Sequence, residues 1–400
     1  MRGGVLVVDK PTGPTSFDVV QRIRRALRAD RAGHTGTLDP AATGVLGVCV
    51  EDAVKLQRWL TEGDKAYEAV VAFGAATDTE DAEGRVVARG DPSGLDAATV
   101  RAALARFVGE VEQVPPMFSA VRVAGRRLHE AARAGEEVDR APRTVRIDAL
   151  ELLRFAPVEG GIARATVAVR CGKGTYVRTL AADLGRALAV PAHLAALRRT
   201  AAGPFRIEEA LPLEEALELG RRDPAALRAR LIPPAAALAA FPAAALDAGE
   251  VRAICHGRAI SRPALPPGLT RALGPDGDLV AMSELREGQL CPIRVFAAPG
   301  ASPGASPGAG ATDRPPGAIA GATGAATGAG AIAHVPGAGA APQAGAGANP
   351  RAAPPAGAGA TSSEPTAPVP PPPAASPPGP PLGPPPDGAR NGVRRPEDDA

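Results

Sequence analysis

The first 235 residues alternate between short apolar runs and segments whose apolar residues recur at helical spacing. Val5–Val8 is uniformly apolar and is followed by Pro11 and Gly13, which predicts a short buried strand and then a turn. From Ser16 to about Ala29 the apolar positions share one helical face. This segment therefore predicts a helix with Ser16 as its N-cap.

The same alternation continues along the chain and predicts an α+β fold. The odd-numbered residues from Tyr67 to Phe73 share one face by period-two alternation, as in a strand. Strands and helices follow one another without a strict βαβ repeat, which favours a mixed sheet domain with flanking helices. The other predicted elements are strands at Val45–Val50, near Val145–Leu153 and at Ala165–Cys171, and helices over Asp52–Leu60, Ala97–Val108 and around Leu180, Leu184 and Leu188.

Composition divides the chain into three parts. Residues 1–235 carry the alternating elements, and residues 236–297 form a smaller unit that ends in the alternating strand Pro292–Phe296. Residues 298–400 form a tail that, from about Pro299 to Asp387, is nearly all Ala, Gly, Pro, Ser and Thr. Such a composition has too little large apolar surface to offset the entropy lost on ordering, so we predict that this tail is disordered.

Charge and cysteine content exclude several classes of protein. The formal net charge is only +2, so a phosphate-binding surface must come from local clustering of charge. The four cysteines lie far apart, which argues against a zinc site or a redox dithiol. No signal peptide and no long run of large apolar residues are recognised, so we expect a soluble, cytoplasmic protein without membrane segments.

The segment Ala32–Gly44 concentrates candidate chemistry. Its three glycines and one proline are incompatible with a helix or a regular strand through it, which predicts a fixed loop. The loop offers the carboxylate of Asp39, the imidazole of His34 and three hydroxyls. Taken alone, Asp39-Pro40 fits a helix start equally well, with Asp39 as N-cap and Pro40 at the first helical position.

Lysine and tyrosine are rare in this chain and indicate further candidates. Only four lysines and two tyrosines, Tyr67 and Tyr176, occur among 400 residues rich in arginine. The lysines and tyrosines that remain in such a composition are candidates for roles that arginine or phenylalanine cannot perform. The alternatives are a solvated turn residue for Lys10 and a sheet-face aromatic for Tyr67.

Two charged segments lie between predicted elements. The acidic stretch Thr77–Gly84 lacks the alternating oxygens of a calcium loop, because Ala82 interrupts them, and we predict a solvated turn. The segment of about 113–143 combines arginines with Phe118 and His129. This mixture fits a surface that contacts phosphates and bases, or an ordinary solvated helix.

Four motifs together resemble the TruB family of tRNA pseudouridine-55 synthases. The resemblance is strong over about residues 4–200 and weak over 201–297. The motifs are Lys10-Pro11-x-Gly13-x-Thr15-Ser16, Gly33-His34-Thr35-Gly36-x-Leu38-Asp39-Pro40-x-Ala42-Thr43-Gly44, Lys173-Gly174-Thr175-Tyr176-x-Arg178 and Pro191-Ala192-His193-Leu194-Ala195-Ala196-Leu197-Arg198-Arg199-Thr200.

The resemblance implies a role for each of these residues. Asp39 would be the catalytic nucleophile, Arg178 its charge partner, and Tyr67 the ring that stacks on the target base. Separately, the survival of a tyrosine at 67, in a chain with eight phenylalanines and two tyrosines, favours a role of its hydroxyl in proton transfer over stacking alone. An aspartate is ionised at neutral pH and can act without a metal or organic cofactor, so we expect neither. The resemblance implies further substrate contacts by His34, Tyr67, Tyr176, Leu197 and Lys10.

The resemblance also implies the fold and the reaction. Residues 1–235 would be a pseudouridine synthase domain with a mixed, mainly antiparallel sheet and an RNA-contacting insertion at about 113–143, and 236–297 a small PUA-like RNA-binding domain. The enzyme would isomerise uridine 55 in the T arm of tRNA, as a monomer. The alternatives are a synthase for another RNA, and a tRNA-binding or folding factor in which catalysis is secondary.

Overall fold

The computed structural model describes residues 3–119, 122–123, 126–127, 136 and 138–296. The predicted disordered tail, 298–400, lies outside the described residues, as do much of the predicted RNA-contacting insertion and its His129. No helix in the described part of the chain is both long and apolar enough to cross a membrane.

Strands dominate the described residues, and short helices flank them. The strands are β1 (Val5–Lys10), β2 (Ala32–His34), β3 (Thr43–Val50), β4 (Lys65–Phe73), β5 (Ala75–Thr77), β6 (Val86–Arg89), β7 (Gly109–Gln113), β8 (Arg122–Val123), β9 (Arg126–Arg127), β10 (Arg143–Glu159), β11 (Ile162–Cys171), β12 (Ala192–Ala202), β13 (Phe205–Arg206), β14 (Leu211–Pro212), β15 (Ala243–Ala245), β16 (Ile260–Ser261), β17 (Gly268–Leu273), β18 (Leu279–Arg286) and β19 (Gln289–Val295). The helices are α1 (Ser16–Ala26), α2 (Gln57–Leu60), α3 (Ala97–Leu104), α4 (Val177–Ala187), α5 (Leu213–Arg222), α6 (Pro224–Ala229), α7 (Pro234–Ala237) and α8 (Ala248–Cys255), with 3₁₀ turns at Glu51–Leu56, Ala105–Phe107 and Ile207–Glu209.

The main sheet has ten strands in the order β14-β1-β3-β12-β4-β11-β10-β7, with β2 attached to β3 and β13 to β12. Its neighbours are antiparallel except for the pairs β1–β14 and β3–β12. The predicted α+β fold with a mixed, mainly antiparallel sheet is therefore confirmed. A second sheet, in the order β15-β17-β18-β19-β16, forms the small unit at the end of the described chain.

Two details near the start of the chain correct the sequence predictions. Helix α1 is capped by Thr15, whose hydroxyl accepts from the amide of Asp18 while the Asp18 carboxylate accepts from the amide of Thr15. Ser16 is instead buried, and its hydroxyl bonds to Leu38. The helix predicted over Asp52–Leu60 is a 3₁₀ turn followed by the single α-helical turn of α2.

Three hydrophobic clusters of the described residues hold the main sheet to its neighbours. In the first, the apolar residues of β4, β11 and β12 pack under α3 and α4, with Phe73 and Leu184 fully buried. In the second, β1 and β3 pack against α1 and α5. In the third, β1 and β3 share a cluster with the second sheet, in which the rings of Trp59 and Phe296 meet edge to face at 6.2 Å. The small unit is thus packed against the main sheet by apolar contacts.

Candidate active site

The loop between β2 and β3 carries Asp39, and side chains from α1 and β1 fix its backbone. The Ser16 hydroxyl accepts from the amide of Leu38 at 2.8 Å and donates to its carbonyl at 2.9 Å. The amide of Gly13 donates to the Pro40 carbonyl at 2.9 Å. No helix follows Asp39, so the alternative in which it is an N-cap is wrong. Hydrogen bonds hold the loop, as predicted, but it covers only residues 35–42, because Ala32–His34 and Thr43–Val50 are strands.

Lys10 is completely buried beneath this loop. Its ammonium donates to the carbonyls of Pro11 at 2.9 Å, Pro40 at 3.0 Å and Ala42 at 2.7 Å. Burial lowers the pKa of Lys10, and the nearby Asp39 carboxylate opposes that shift. Because a lone buried ammonium is unfavourable, three carbonyl acceptors are a physical requirement of this position. The alternative of a solvated turn residue is wrong.

Arg178 meets Asp39 from the first turn of α4. Its Nε lies 3.1 Å from Oδ2 of Asp39, and the aspartate side chain is 42% exposed whereas that of the arginine is 7% exposed. The other guanidinium nitrogens donate to the carbonyls of Phe118 at 2.9 Å and Thr79 at 3.3 Å. The guanidinium is thus held by the protein, while the carboxylate that it orients remains accessible.

The acidic stretch Thr77–Gly84 is not the solvated turn predicted from its composition. The Asp81 carboxylate lies 3.6 Å from Arg178 Nη1, with only 14% of its side chain exposed. Glu80 accepts from the Thr179 hydroxyl at 2.8 Å, and burial raises the pKa of that carboxyl. The turn therefore packs on the start of α4 and shares Arg178 with Asp39. Sequence reasoning missed it because its partners lie about one hundred residues further along.

Tyr67 and Leu197 come from adjacent strands. In the β4–β12 ladder Tyr67 lies opposite Arg199, and Leu197 lies opposite Ala69. Both Tyr67 and Leu197 pack against the cluster under α4. Burial raises the pKa of the Tyr67 hydroxyl, and its interaction with the Arg199 guanidinium opposes that rise. The phenol is therefore neutral at pH 7.

Hydrogen bonds place Tyr176 before α4 and His34 at the end of β2. The amide of Tyr176 donates to the side chain of Gln113 at 3.0 Å, which fixes the residue before α4. His34 ends β2, where its Nδ1 accepts from the amide of Gly36 at 3.3 Å. Burial, together with Arg199, lowers the pKa of His34, so its ring is uncharged at neutral pH.

Arg199 is a second residue that sequence reasoning missed. It is 2% exposed, and it donates to the carbonyls of Val45 at 2.8 Å, Gly36 at 3.0 Å and Thr37 at 3.2 Å. The signal available in the sequence was the pair Arg198-Arg199 within a strand, because neighbouring residues of a strand face opposite sides and only one can face solvent. Arg198 takes the outer position and pairs with Asp9 at 2.7 Å.

No group of three or more His, Cys, Asp or Glu side chains that could hold a metal ion occurs in the described ranges. What these residues do form is an accessible carboxylate on a fixed loop, with the Arg178 guanidinium beside it and Tyr67 close enough to interact with it electrostatically. Such an arrangement can supply a carboxylate nucleophile.

The fold and the site together indicate a class of protein, and comparison of the sequence with models of known protein families identifies that class. Residues 24–177 match the family model described as TruB family pseudouridylate synthase (N terminal domain). Residues 178–239 match the tRNA pseudouridylate synthase B C-terminal domain, and residues 241–297 match tRNA pseudouridine synthase II, C terminal. The class is that of the pseudouridine synthases.

Relatives of known name narrow the class to a family. The chain is 52% identical to the tRNA pseudouridine synthase B of Symbiobacterium thermophilum over 254 residues, which are 64% of this chain and 82% of that protein. It is 46% identical to the Burkholderia mallei protein of the same name over 299 residues, 73% of this chain and 96% of that protein. The chain belongs to the TruB family and is a tRNA pseudouridine synthase, which isomerises uridine to pseudouridine in tRNA.

Solved structures agree with this fold. The chain aligns with a protein in the crystal structure of a Cbf5-Nop10-Gar1 complex with a TM-score of 0.57 and 27% identity, covering 74% of this chain and 85% of that one. It aligns with the structure of an H/ACA RNP bound to a substrate RNA containing 2'-deoxyuridine with a TM-score of 0.56 and 26% identity, covering 74% and 86%.

Proposed function

We propose that this synthase modifies uridine 55 in the T arm of tRNA and that Asp39 is its nucleophile. The observation that carries the proposal is the ion pair between the accessible Asp39 carboxylate and the buried Arg178 guanidinium. A guanidinium beside a carboxylate favours the charged form and fixes its direction, and both are required of a nucleophile. Attack at C6 of the base and attack at C1′ of the ribose are both compatible with this geometry.

The remaining residues are proposed to bind the extruded base. Removing a uridine from its stack costs a few kcal/mol, and one aromatic stack returns about 1–3 kcal/mol. Tyr67 alone therefore only balances the cost of extrusion, and Tyr176 and Leu197 supply further contact with the uracil. An uncharged His34, at the start of the loop that carries Asp39, is proposed to hold the rearranged RNA loop.

Lys10 is proposed to act on the substrate through the Asp39 loop. Its ammonium is fully buried and donates all of its hydrogen bonds to three backbone carbonyls. It therefore holds the Asp39 loop, which is proposed to meet the RNA, instead of contacting the RNA itself. A loop fixed before the substrate arrives needs no reorganisation during the reaction. We also propose that the enzyme acts as a monomer in the cytoplasm, without a cofactor.

The proposal is tested by carbodiimide labelling, which marks pseudouridine although the isomerisation itself leaves the mass of the RNA unchanged. A T stem-loop RNA and a complete tRNA are incubated with the wild-type protein or with Asp39→Asn. We expect label at the T-arm uridine with wild type only, and tRNA affinity within a few fold in the variant. Turnover by an Asn variant shown to be free of deamidation would refute the nucleophile. Label confined to another uridine would refute the T-arm assignment.

A further inference from the structure

Arg199 is a buried cation without a carboxylate partner among the described residues. Its three hydrogen bonds all go to backbone carbonyls, although desolvation of its charge lowers its pKa. A buried charge is normally paired, since its transfer out of water is unfavourable. Arg199 makes no such contact ion pair among the described residues, although its charge interacts with the Asp39 carboxylate at longer range, so its burial requires an explanation beyond packing.

The carbonyls that Arg199 binds belong to two different segments. Gly36 and Thr37 lie in the loop that carries Asp39, two to three residues before the carboxylate, and Val45 lies in β3 behind that loop. The loop is therefore attached to β12 through one side chain. Lys10 and Ser16 hold the other half of the same loop, from Leu38 to Ala42.

Arg199 also faces Tyr67. The two residues are directly opposite in the antiparallel β4–β12 ladder, where side chains on the same face are in contact. The Arg199 charge also opposes the rise that burial causes in the pKa of the Tyr67 hydroxyl, in keeping with their opposite positions in the ladder. Only a planar group with several donors can reach the loop carbonyls and the phenol at once, and a lysine ammonium cannot.

Close backbone packing fixes the position of Arg199 itself. β3 and β12 are parallel neighbours there, with Gly44 beside Arg199. Gly44 has a φ of +101°, and a Cβ at this position would collide with the Arg199 carbonyl. The backbone that bears the guanidinium is therefore seated directly against the strand that follows the Asp39 loop.

We propose that Arg199 is a positioning residue for pseudouridine formation, which holds the Asp39 loop and the Tyr67 hydroxyl in a fixed relation to each other. It does not touch the substrate, because it is buried. It sets the distance between the nucleophile and the aromatic platform, so the inference rests on the proposed roles of Asp39 and Tyr67. A displacement of about 1 Å between reacting groups can slow a reaction by about 10²-fold.

The first test separates chemistry from binding. Single-turnover rates and tRNA dissociation constants are measured for Arg199→Met and Arg199→Lys, with Arg198→Met as the matched control from the same strand. We expect Arg199→Met to slow turnover by about 10²-fold with affinity within a few fold, and Arg199→Lys to be slowed less. Arg198→Met should stay close to wild type. A folded Arg199→Met protein with wild-type turnover would overturn the proposal.

The second test uses the scarcity of tyrosine. Protein labelled with ¹³C at tyrosine Cζ contains two labelled sites, and Tyr176→Phe assigns the Tyr67 resonance. We expect that resonance to move in Arg199→Met and to stay in place in Arg198→Met. An unmoved Tyr67 signal in a folded Arg199→Met protein would overturn the link to Tyr67. Should that variant fail to fold, Arg199→Lys decides, since normal turnover with an unmoved signal refutes the proposal.

These outcomes are distinguishable from failure of the proposed function. Turnover by Asp39→Asn would refute the nucleophile but would leave the comparison of Tyr67 signals between Arg199→Met and Arg198→Met unaffected. An unmoved Tyr67 signal and normal turnover in Arg199→Met would refute the positioning role while the Asp39→Asn result stands.

Discussion

At the scale of single residues, Arg178 shows how one side chain serves several elements. Its guanidinium binds Asp39, the Thr79 carbonyl and the Phe118 carbonyl, and it lies near Asp81. The five donors of a guanidinium in a rigid plane allow all of these contacts. The same property makes the residue difficult to replace.

Arg178→Lys is predicted to reduce the turnover rate strongly, because a single ammonium cannot reach Asp39 and the carbonyls of Thr79 and Phe118 together. The measurement is the single-turnover rate of pseudouridine formation, with the melting temperature as a control for folding. A near-normal rate in a folded variant would mean that Arg178 is not the functional partner of Asp39.

Tyr67→Phe is predicted to bind tRNA normally and to turn over slowly. Phenylalanine keeps the ring that stacks on a base and loses only the hydroxyl that Arg199 faces. Acid–base or orienting help from such a group is typically worth about 10²–10⁴-fold in rate. Single-turnover rates and dissociation constants of Tyr67→Phe and Tyr67→Leu are compared. Full activity of the Phe variant would reduce Tyr67 to a stacking surface.

At the scale of elements, the turn Thr77–Gly84 differs from its prediction because it packs against α4. Its composition predicts solvation, yet Asp81 is largely buried against Arg178, and Glu80, at a φ of +64°, bonds to Thr179 on α4. The turn, which follows β5 in the chain, thus packs on the start of α4. Local sequence gives no signal of that contact, since the partners are far apart in the chain.

Glu80→Gln is predicted to raise stability at neutral pH while leaving it unchanged in acid. The raised pKa of Glu80 means that the folded protein prefers the neutral carboxyl, so its contribution is fully present below the ordinary pKa and is lost as pH rises through the folded pKa. Glutamine stays neutral and can still accept from Thr179. The melting-temperature difference between variant and wild type should therefore increase from pH 4.5 to pH 7.5. A constant difference would contradict this assignment.

At the scale of the whole molecule, both sheets and all of the proposed site residues lie within residues 3–296. The two sheets share a cluster that includes Trp59, Met282 and Phe296, so apolar contacts among the described residues pack the small unit on the main sheet. The family matches likewise end at residue 297.

Removal of residues 298–400 is predicted to leave folding and turnover intact, because this composition supplies little large apolar surface. Melting temperature and kcat of the truncated and complete proteins are compared under the same conditions. A fall of several degrees, or a clear loss of kcat, would show that the tail contributes to the enzyme.

The sequence by itself predicted β1, β3, β4, β10, β11 and β19, the helices α1, α3 and α4, and the candidate loop, but not β12 or the helices after residue 200. Their apolar periods are local, as in the period-two face of β4, and burial of that face follows directly from the pattern. The motifs also indicated Asp39 and Arg178, whose ion pair is present. Capping at Thr15 rather than Ser16 was decided by the contact of Ser16 with Leu38, which periodicity cannot reveal.

Only the tertiary structure decided which polar residues are buried and what they bind. Arg199 lies 163 residues from its acceptor Gly36, and Arg178 lies 99 residues from Thr79. When its partners are so far away in the chain, a charged residue in a strand or turn is predicted to be solvated, because charged residues are usually exposed. The folded chain overrides that expectation, since the buried backbone carbonyls of the Asp39 loop require donors and two buried cations, Lys10 and Arg199, provide them.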